Sequence, residues 1–343
     1  MKGLNGGMAG GDTGRRGRGP GVEWPTVALI AACYGVWLAV GLVYPSWPVA
    51  ALVVLALSLA LHSSLIHEAL HGHPTRTGWV NEVLVGLPLG LIYPYRRYKT
   101  LHLQHHADER LTDPFEDPES YYKARWQHQA MPSWLQRLLS INNTMLGRLV
   151  VGPPLATIGF LTSEARLIAS GDKAVRQAWL HHAAGLAIVL PVVIFAFGMP
   201  LWLYVLVPVW AGQSIIAVRT YAEHQWSERP DGRTIIVERS PLSFFFLNNN
   251  LHLVHHKLPT VAWYRLPARF REKRDEWAAM NGGYVYPNYL ALLRSYAFHA
   301  KEPVVHPVLR QQPEPGRAFR PRVRQHNVGG LGTAPVPAEP PKE

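Results

Sequence analysis

Three short segments concentrate this chain's chemistry. His67-Glu68-Ala69-Leu70-His71 runs on into Gly72-His73-Pro74, His102-Leu103-Gln104-His105-His106 comes second, and His252-Leu253-Val254-His255-His256 third. On a helix, positions i, i+3 and i+4 share a face, so each HxxHH segment can aim three imidazoles at one centre and HxxxH two. His224, six residues beyond an apolar stretch ending at Val218, is a ninth candidate ligand. His73, Asn248 and Asp108 are further candidates, either as ligands or as partners that orient an imidazole. Asn248 falls four residues before His252, on the same face if that segment is helical. So many neutral nitrogen ligands exceed the needs of one four-coordinate zinc but suit two iron ions with open positions. Iron can activate dioxygen, which redox-inert zinc cannot.

His67-Glu68-Ala69-Leu70-His71 taken alone is also the pattern of a zinc protease, two ligands with a glutamate base. Two further HxxHH segments weigh against a membrane protease of that kind, which needs only one more ligand. A metal transporter would place its ligands near the bilayer midplane in broken helices, whereas these segments lie outside the apolar stretches. The other histidines have plainer expectations: His62 as a hydrogen-bonded packing residue, His181 and His182 as interfacial residues, and His128, His299, His306 and His326 as solvated side chains. Asp108 and Glu109 follow the second segment as candidate imidazole partners or as helix-surface residues. Asp113-Pro114 and Asp117-Pro118 read as turns.

The elements that position these segments follow from composition. The chain has 343 residues, 48% hydrophobic and only 17% charged, with 12 Trp and a single Cys. One cysteine excludes an intramolecular disulfide framework, a CxxC redox pair, a cysteine zinc finger and a cysteine-ligated iron–sulfur cluster. Four stretches lack Asp, Glu, Lys and Arg: Thr26–Tyr44, Trp47–Ile66, about Ala178–Met199, and Leu201–Val218. At about 1.5 Å per residue they match or nearly match roughly 30 Å of hydrocarbon. Pro45-Ser46 and Pro200 join them into two tight hairpins, and Trp24, Trp47 and Trp202 fall at span ends, as an interfacial belt requires. Leu84–Tyr93 and Leu149–Leu161, which contain Pro88 and Pro153-Pro154, are too short to span. Both read as helices lying in the interface or dipping into it.

All 34 Lys and Arg fall within residues 1–25, 67–177 and 219–343, on one side of a four-span arrangement. The positive-inside rule makes that side cytoplasmic, with both termini and every histidine segment there. This accounts for most of the net charge of +11 without nucleic acid, for which no recognition motif is present. Arg96, Arg97 and Lys99 read as membrane-surface anchors, or alternatively as a docking patch for an acidic electron carrier. The expected organisation is a disordered tail at 1–25, a membrane domain at 26–300 and a disordered Pro-rich tail at 301–343. The fold class is therefore all-α integral membrane: four transmembrane helices in two hairpins under a cytosolic, histidine-rich helical cap.

HEALHGH, HLQHH and NNNLHLVHH, in this order around two hairpins, resemble the integral-membrane fatty acid desaturase and hydroxylase superfamily over roughly residues 26–270. HGHPTR, LTDPFEDPES and the NNN run are similar to its bacterial desaturase-like branch, which suggests a bacterial inner membrane. The resemblance implies a non-haem di-iron centre held by His67, His71, His102, His105, His106, His224, His252, His255 and His256, with dioxygen as co-substrate. It implies desaturation of a fatty acyl or other alkyl chain. The alternative is hydroxylation or oxygenation of a small metabolite, hydrocarbon or carotenoid. The sequence lacks the HPGG signature of a fused cytochrome b5 and the cysteines of a rubredoxin module. Electrons are thus expected from a separate ferredoxin-like or rubredoxin-like donor with its reductase.

Overall fold

The computed structural model describes residues 21–107 and 111–308. The chain is mostly helical. The first hairpin is α1 (Trp24–Leu42) and α2 (Pro48–Leu70), followed by α3 (Gly78–Val85) and α4 (Tyr95–Ala107). Two short helices, α5 (Arg125–Gln129) and α6 (Ser133–Asn142), lead to the long α7 (Met145–Ala169). The second hairpin starts with α8 (Lys173–Pro191), which continues as π-turns to Ala196. It returns through α9 (Leu201–Tyr204), a second π segment and α10 (Trp210–Thr220). The cap is completed by α11 (His252–Lys257), α12 (Leu266–Glu272), α13 (Arg274–Met280) and α14 (Tyr289–Tyr296). β1 (Ile236–Val237) and β2 (Val285–Tyr286) pair in parallel and tie the cap together.

Side-chain fit holds the hairpins against each other. Gly41 on α1 lies under the Phe197 ring, where an added Cβ would sit 2.2 Å from ring carbons. Gly212 on α10 leaves room for α2, since a Cβ there would reach Leu59 Cβ at 3.0 Å. Between the hairpins, Trp37 Nε1 donates to the Tyr204 hydroxyl at 2.9 Å, and that hydroxyl donates to Leu89 O at 2.9 Å. A buried tyrosine thus satisfies a backbone carbonyl that no helix serves. Leu84–Tyr93 does not form the expected helix: α3 ends at Val85, the chain beyond it is irregular, and fully buried Leu89 enters the core shared with Trp37, Leu55 and Phe197. Trp24, Trp47 and Trp202 are all exposed, as a belt facing lipid headgroups would be.

Two further expectations are corrected. Leu149–Leu161 is not a short interrupted stretch but the middle of the 25-residue α7, which runs through Pro153-Pro154. Proline at 153 removes the donor that Leu149 O would receive in a regular helix. The Ser214 hydroxyl of α10 supplies it instead, 2.6 Å away. Among the described residues, five helices are consequently long and apolar enough to cross a membrane: Trp24–Leu42, Pro48–Leu70, Met145–Ala169, Lys173–Ala196 and Leu201–Thr220. The second correction concerns chain ends. Residues 21–25 are bound, with Glu23 N donating to Pro74 O and α1 starting at Trp24. Residues 301–308 are bound too: Lys123 N donates to Val304 O at 2.8 Å and His306 N to Lys123 O at 2.9 Å. His306 is buried among Tyr122 and Trp226 rather than solvated. The remaining residues of both expected tails, His326 included, lie outside the described residues.

The ends of α7 contact opposite flanks of the cap. At its start, Tyr221 donates to Asn143 O at 3.0 Å and Leu146 N to Ala297 O at 3.1 Å. Near its end, Arg97 of α4 grips Glu164 with two bonds of 2.8 and 2.9 Å, and Trp179 Nε1 donates to the same carboxylate. Arg97 is therefore a buried ion-pair residue, neither a surface anchor nor a docking contact. Arg96 pairs with Glu82 at 2.5 Å.

Candidate metal centre

Helix ends deliver the histidines. His67 occupies the last turn of α2 and His71 its C-cap, where Gly72 takes φ 97° and turns the chain off the helix. That turn carries His73 away from its neighbours. Thirteen-residue α4 places His102, His105 and His106 on one face, and six-residue α11 does the same for His252, His255 and His256. His224 arrives differently from the expected helix continuation. α10 ends at Thr220, and His224 sits in an extended segment bridged to Thr234.

All nine imidazoles converge. His67, His71, His102, His106 and His255 form one group and His105, His224, His252 and His256 another, with ligand atoms within 4.8 Å of one another in each. The groups adjoin, since the His106 and His256 rings stack with centroids 4.1 Å apart. Within them the Nε2 atoms face each other. His71–His102 and His106–His255 lie at 3.2 Å, His105–His224 at 3.1 Å, His224–His252 at 3.0 Å and His252–His256 at 3.1 Å. A metal with nitrogen bonds of about 2.1 Å at right angles requires ligand nitrogens about 3.0 Å apart. His67 Nε2 is buried with no hydrogen-bond partner. Unclaimed, mutually facing imine nitrogens fit a pair of nitrogen-ligated metal ions and have no other evident purpose.

The opposite ring nitrogens are held. His102 Nδ1 donates to Glu119 at 2.7 Å, His105 Nδ1 to Asp117 at 2.8 Å, and His252 Nδ1 to Asn249 Oδ1 at 2.9 Å. His224 Nδ1 is 3.3 Å from Arg233 O. Each contact leaves Nε2 as the lone pair aimed inward. Asp117 and Glu119 belong to one loop, Asp113-Pro114-Phe115-Glu116-Asp117-Pro118-Glu119, whose own turn is closed by Asp117 accepting from Thr112 N and Glu119 N. From sequence alone, Asp113-Pro114 and Asp117-Pro118 mark only turns here. Two acids at alternate positions just after a histidine segment were the available signal for their role.

Burial keeps most of the cluster neutral. Burial, reinforced by neighbouring imidazoles, drives His71 down to about 2 and His224 to about 3, and lowers His106, His252, His255 and His256 as well. Deprotonated imidazoles are the form that binds metal. His105 is the exception. Burial alone would lower it, but the Asp117 and Glu119 carboxylates outweigh burial and hold it up to about 9. Burial would likewise raise Asp117, yet His105 beside it keeps the carboxyl below its ordinary range.

Two candidates, His73 and Asn248, fall elsewhere. His73 joins Glu23 and Glu68 in a separate group, its Nδ1 2.9 Å from Glu23. Glu68 in that group accepts from Trp263 N at 2.9 Å, so it is occupied in holding the cap rather than serving as a protease base. Asn248, in the left-handed region at φ 58°, donates to Trp263 O at 3.0 Å; its neighbour Asn249 is the one that orients His252. Asp108, with Glu109, lies outside the described residues. His62 is a packing residue as expected, 3.1 Å from the Tyr34 hydroxyl.

A cavity of about 250 Å³ adjoins the centre. Leu59, Ile66, Leu91, Val209 and Ile216 make one end apolar. Glu119 and His224 border it, and Arg148, Tyr221 and Lys301 add polar groups to its lining, with Lys301 Nζ 2.7 Å from His224 O. A family model described as fatty acid desaturase matches residues 45–288, which take in all nine clustered histidines. None of the curated proteins compared matches the chain.

Proposed function

We propose, because this chain belongs to the fatty acid desaturase family, that it is a membrane-bound, dioxygen-dependent desaturase introducing a C=C bond into an alkyl chain. The observation that carries the reading is the pairing of two groups of inward-facing imidazoles with an apolar cavity bordered by one of their members, His224. His67, His71, His102, His106 and His255 would hold one iron, and His105, His224, His252 and His256 the other. Bound there, iron supplies the redox change needed to use dioxygen against an unactivated C–H bond.

The chain's own residues do the rest. Asp117, Glu119 and Asn249 keep three imidazoles in one tautomer and one orientation. The Leu59 and Val209 end of the cavity takes up the alkyl tail and excludes water, and Glu119 and His224 border the stretch where a chain would pass the metals. One substrate C–H pair supplies two of the four electrons that reduce dioxygen to water. The other two come from a separate ferredoxin-like or rubredoxin-like carrier with its reductase, since the chain's single Cys cannot hold a cluster.

The membrane reading is four spans, two hairpins and a cytosolic cap, in a bacterial inner membrane. α7 is long enough to be a fifth span. Support for the smaller number comes from its ends, one bonded to Tyr221 near His224 and the other to Arg97 near His102. Both flanks belong to the cap, so α7 lies along the membrane face.

The test is purification with metal analysis, followed by turnover with a reduced carrier and product identification. About two irons per chain and an alkene product bear the reading out. One tightly held zinc and no iron overturns the centre, and an alcohol product replaces desaturation with hydroxylation. Lipid and metabolite profiles of a host with and without the gene identify the substrate.

A further inference from the structure

We propose that the polar part of the cavity is a subsite for a carboxylate, so that the preferred substrate is a free alkanoate of medium length rather than an ester-linked acyl chain. The inference rests on the alkyl-oxidising reading above and narrows its substrate class.

Arg148, on the first turn of α7, lines the cavity and is only 5% exposed. Its Nε donates to Asn142 O at 3.1 Å, its guanidinium carbon lies 3.7 Å above the Tyr121 ring, and its Nη1 has no partner. No described carboxylate forms an ion pair with it. Three acids along the same cavity are paired, Asp117 with His105, Glu119 with His102 and Glu223 with Arg219, and the fourth, Glu302, accepts from Trp226 N and forms no ion pair with Arg148. Arg148 is thus a buried cation left uncompensated by the protein, an arrangement that is costly unless something supplies the anion.

The surroundings favour an anion as well. Lys301 Nζ and the Arg148 guanidinium lie on the same aromatic ring, each 5.8 Å from the Tyr221 centroid. Lys301 donates to His224 O and the Tyr284 hydroxyl, both neutral acceptors, while the Glu223 carboxylate that also acts on it is paired with Arg219. A guanidinium edge matches a carboxylate in shape and charge. Size selects among carboxylates. A cavity of about 150 Å³ holds benzene, so the 250 Å³ here takes on the order of ten non-hydrogen atoms by proportion. A free carboxylate offers Arg148 a full negative charge, which an ester-linked acyl chain lacks. A head group held there, with its tail toward Leu59, would set which carbons pass the metals.

The test measures equilibrium binding to the iron-loaded protein in nanodiscs, with radiolabelled decanoate and methyl decanoate as probes. Decanoate should bind at least tenfold more tightly than its ester. Arg148→Gln should remove that preference while methyl decanoate affinity stays within twofold and iron content is unchanged. Should Arg148→Gln fail to fold, Asn142→Asp keeps the arginine and places a carboxylate beside it, since both side chains flank Gly152. That variant should weaken decanoate binding tenfold and spare the ester. Equal affinity for acid and ester, or parallel loss of both in either variant, overturns the subsite. Arg148-dependent decanoate binding without oxidation under donor and oxygen would instead sink the proposed function and leave the subsite standing.

Discussion

Asp117 Oδ1 and His105 Nδ1 lie 2.8 Å apart with both side chains buried. This contact fixes which nitrogen of His105 faces His224, and it couples the loop after α4 to the centre of the cap. Glu119 does the same for His102, two residues on. A single loop therefore orients one imidazole of each group, since His102 sits with His67 and His71 while His105 sits with His224 and His252.

Asp117→Asn preserves an acceptor oxygen but removes the charge that favours a proton on Nδ1. Iron affinity should fall by about 10- to 100-fold, as replacement of partners behind metal-bound histidines does elsewhere. Chelator competition followed by iron analysis measures it. Unchanged affinity would mean that packing alone orients His105.

The segment 301–308 should loosen in acid through His306. Val308 N donates to His306 Nδ1 at 3.3 Å, so the packed ring accepts there and is neutral. Burial, with Arg233 nearby, pushes it from 6.5 down to about 4. Between those values the detached segment binds a proton that the packed one does not, so packing weakens as pH falls through 6.5 and levels off near 4. Burial raises Glu302 to about 7, and this works in the opposite direction. The difference between wild type and His306→Gln isolates the histidine. Amide protection factors at Lys123 and His306 should fall with acid in the wild type and fall less in the variant.

The nine clustered histidines were legible because helical spacing is a local property: positions three and four apart share a face wherever the helix sits. Their partners were not, because a loop has no such period. Asp117 reaches back 12 residues and Glu119 17 to the histidines they hold. His73 reads from sequence as either a ligand or an orienting partner, and Gly72 at φ 97° turns it away from His71 to Glu23 and Glu68. α7 was hidden by Pro153-Pro154, since a proline pair reads locally as a break, and the donor that mends it comes from Ser214, 65 residues away. Arg97 read as a surface cation because Glu164, its partner, is 67 residues distant.

That repair predicts a non-additive pair. Ser214→Ala should destabilise the protein by about 1 kcal/mol, the scale of a side-chain hydrogen bond between membrane helices, by leaving Leu149 O without its donor. Pro153→Ala restores a backbone N–H to the same carbonyl. In the double variant the serine should therefore matter much less, and a double-mutant cycle of unfolding in mixed micelles measures the coupling. Simple additivity would show that the 2.6 Å contact carries no energy.

The orientation of α7 decides between four spans and five. Its 25 residues extend about 37 Å at 1.5 Å per residue, enough to cross, so length does not discriminate. Attachment does. Just before its start Asn143 O accepts from Tyr221, its first turn is bonded to Ala297, and its penultimate turn is bonded to Arg97 of α4, in or beside the elements that carry His224 and His102. A crossing helix would carry one of those attachments to the far side, separating histidines that meet at 3.1 Å. Reporter fusions after Asn142 and after Gly171 should accordingly map to the same side as fusions after Val80 and Arg274. Fusions after Tyr44 and Met199 should map opposite. A split between Asn142 and Gly171 would make α7 a fifth span, and the one-sided placement of Lys and Arg would then no longer hold.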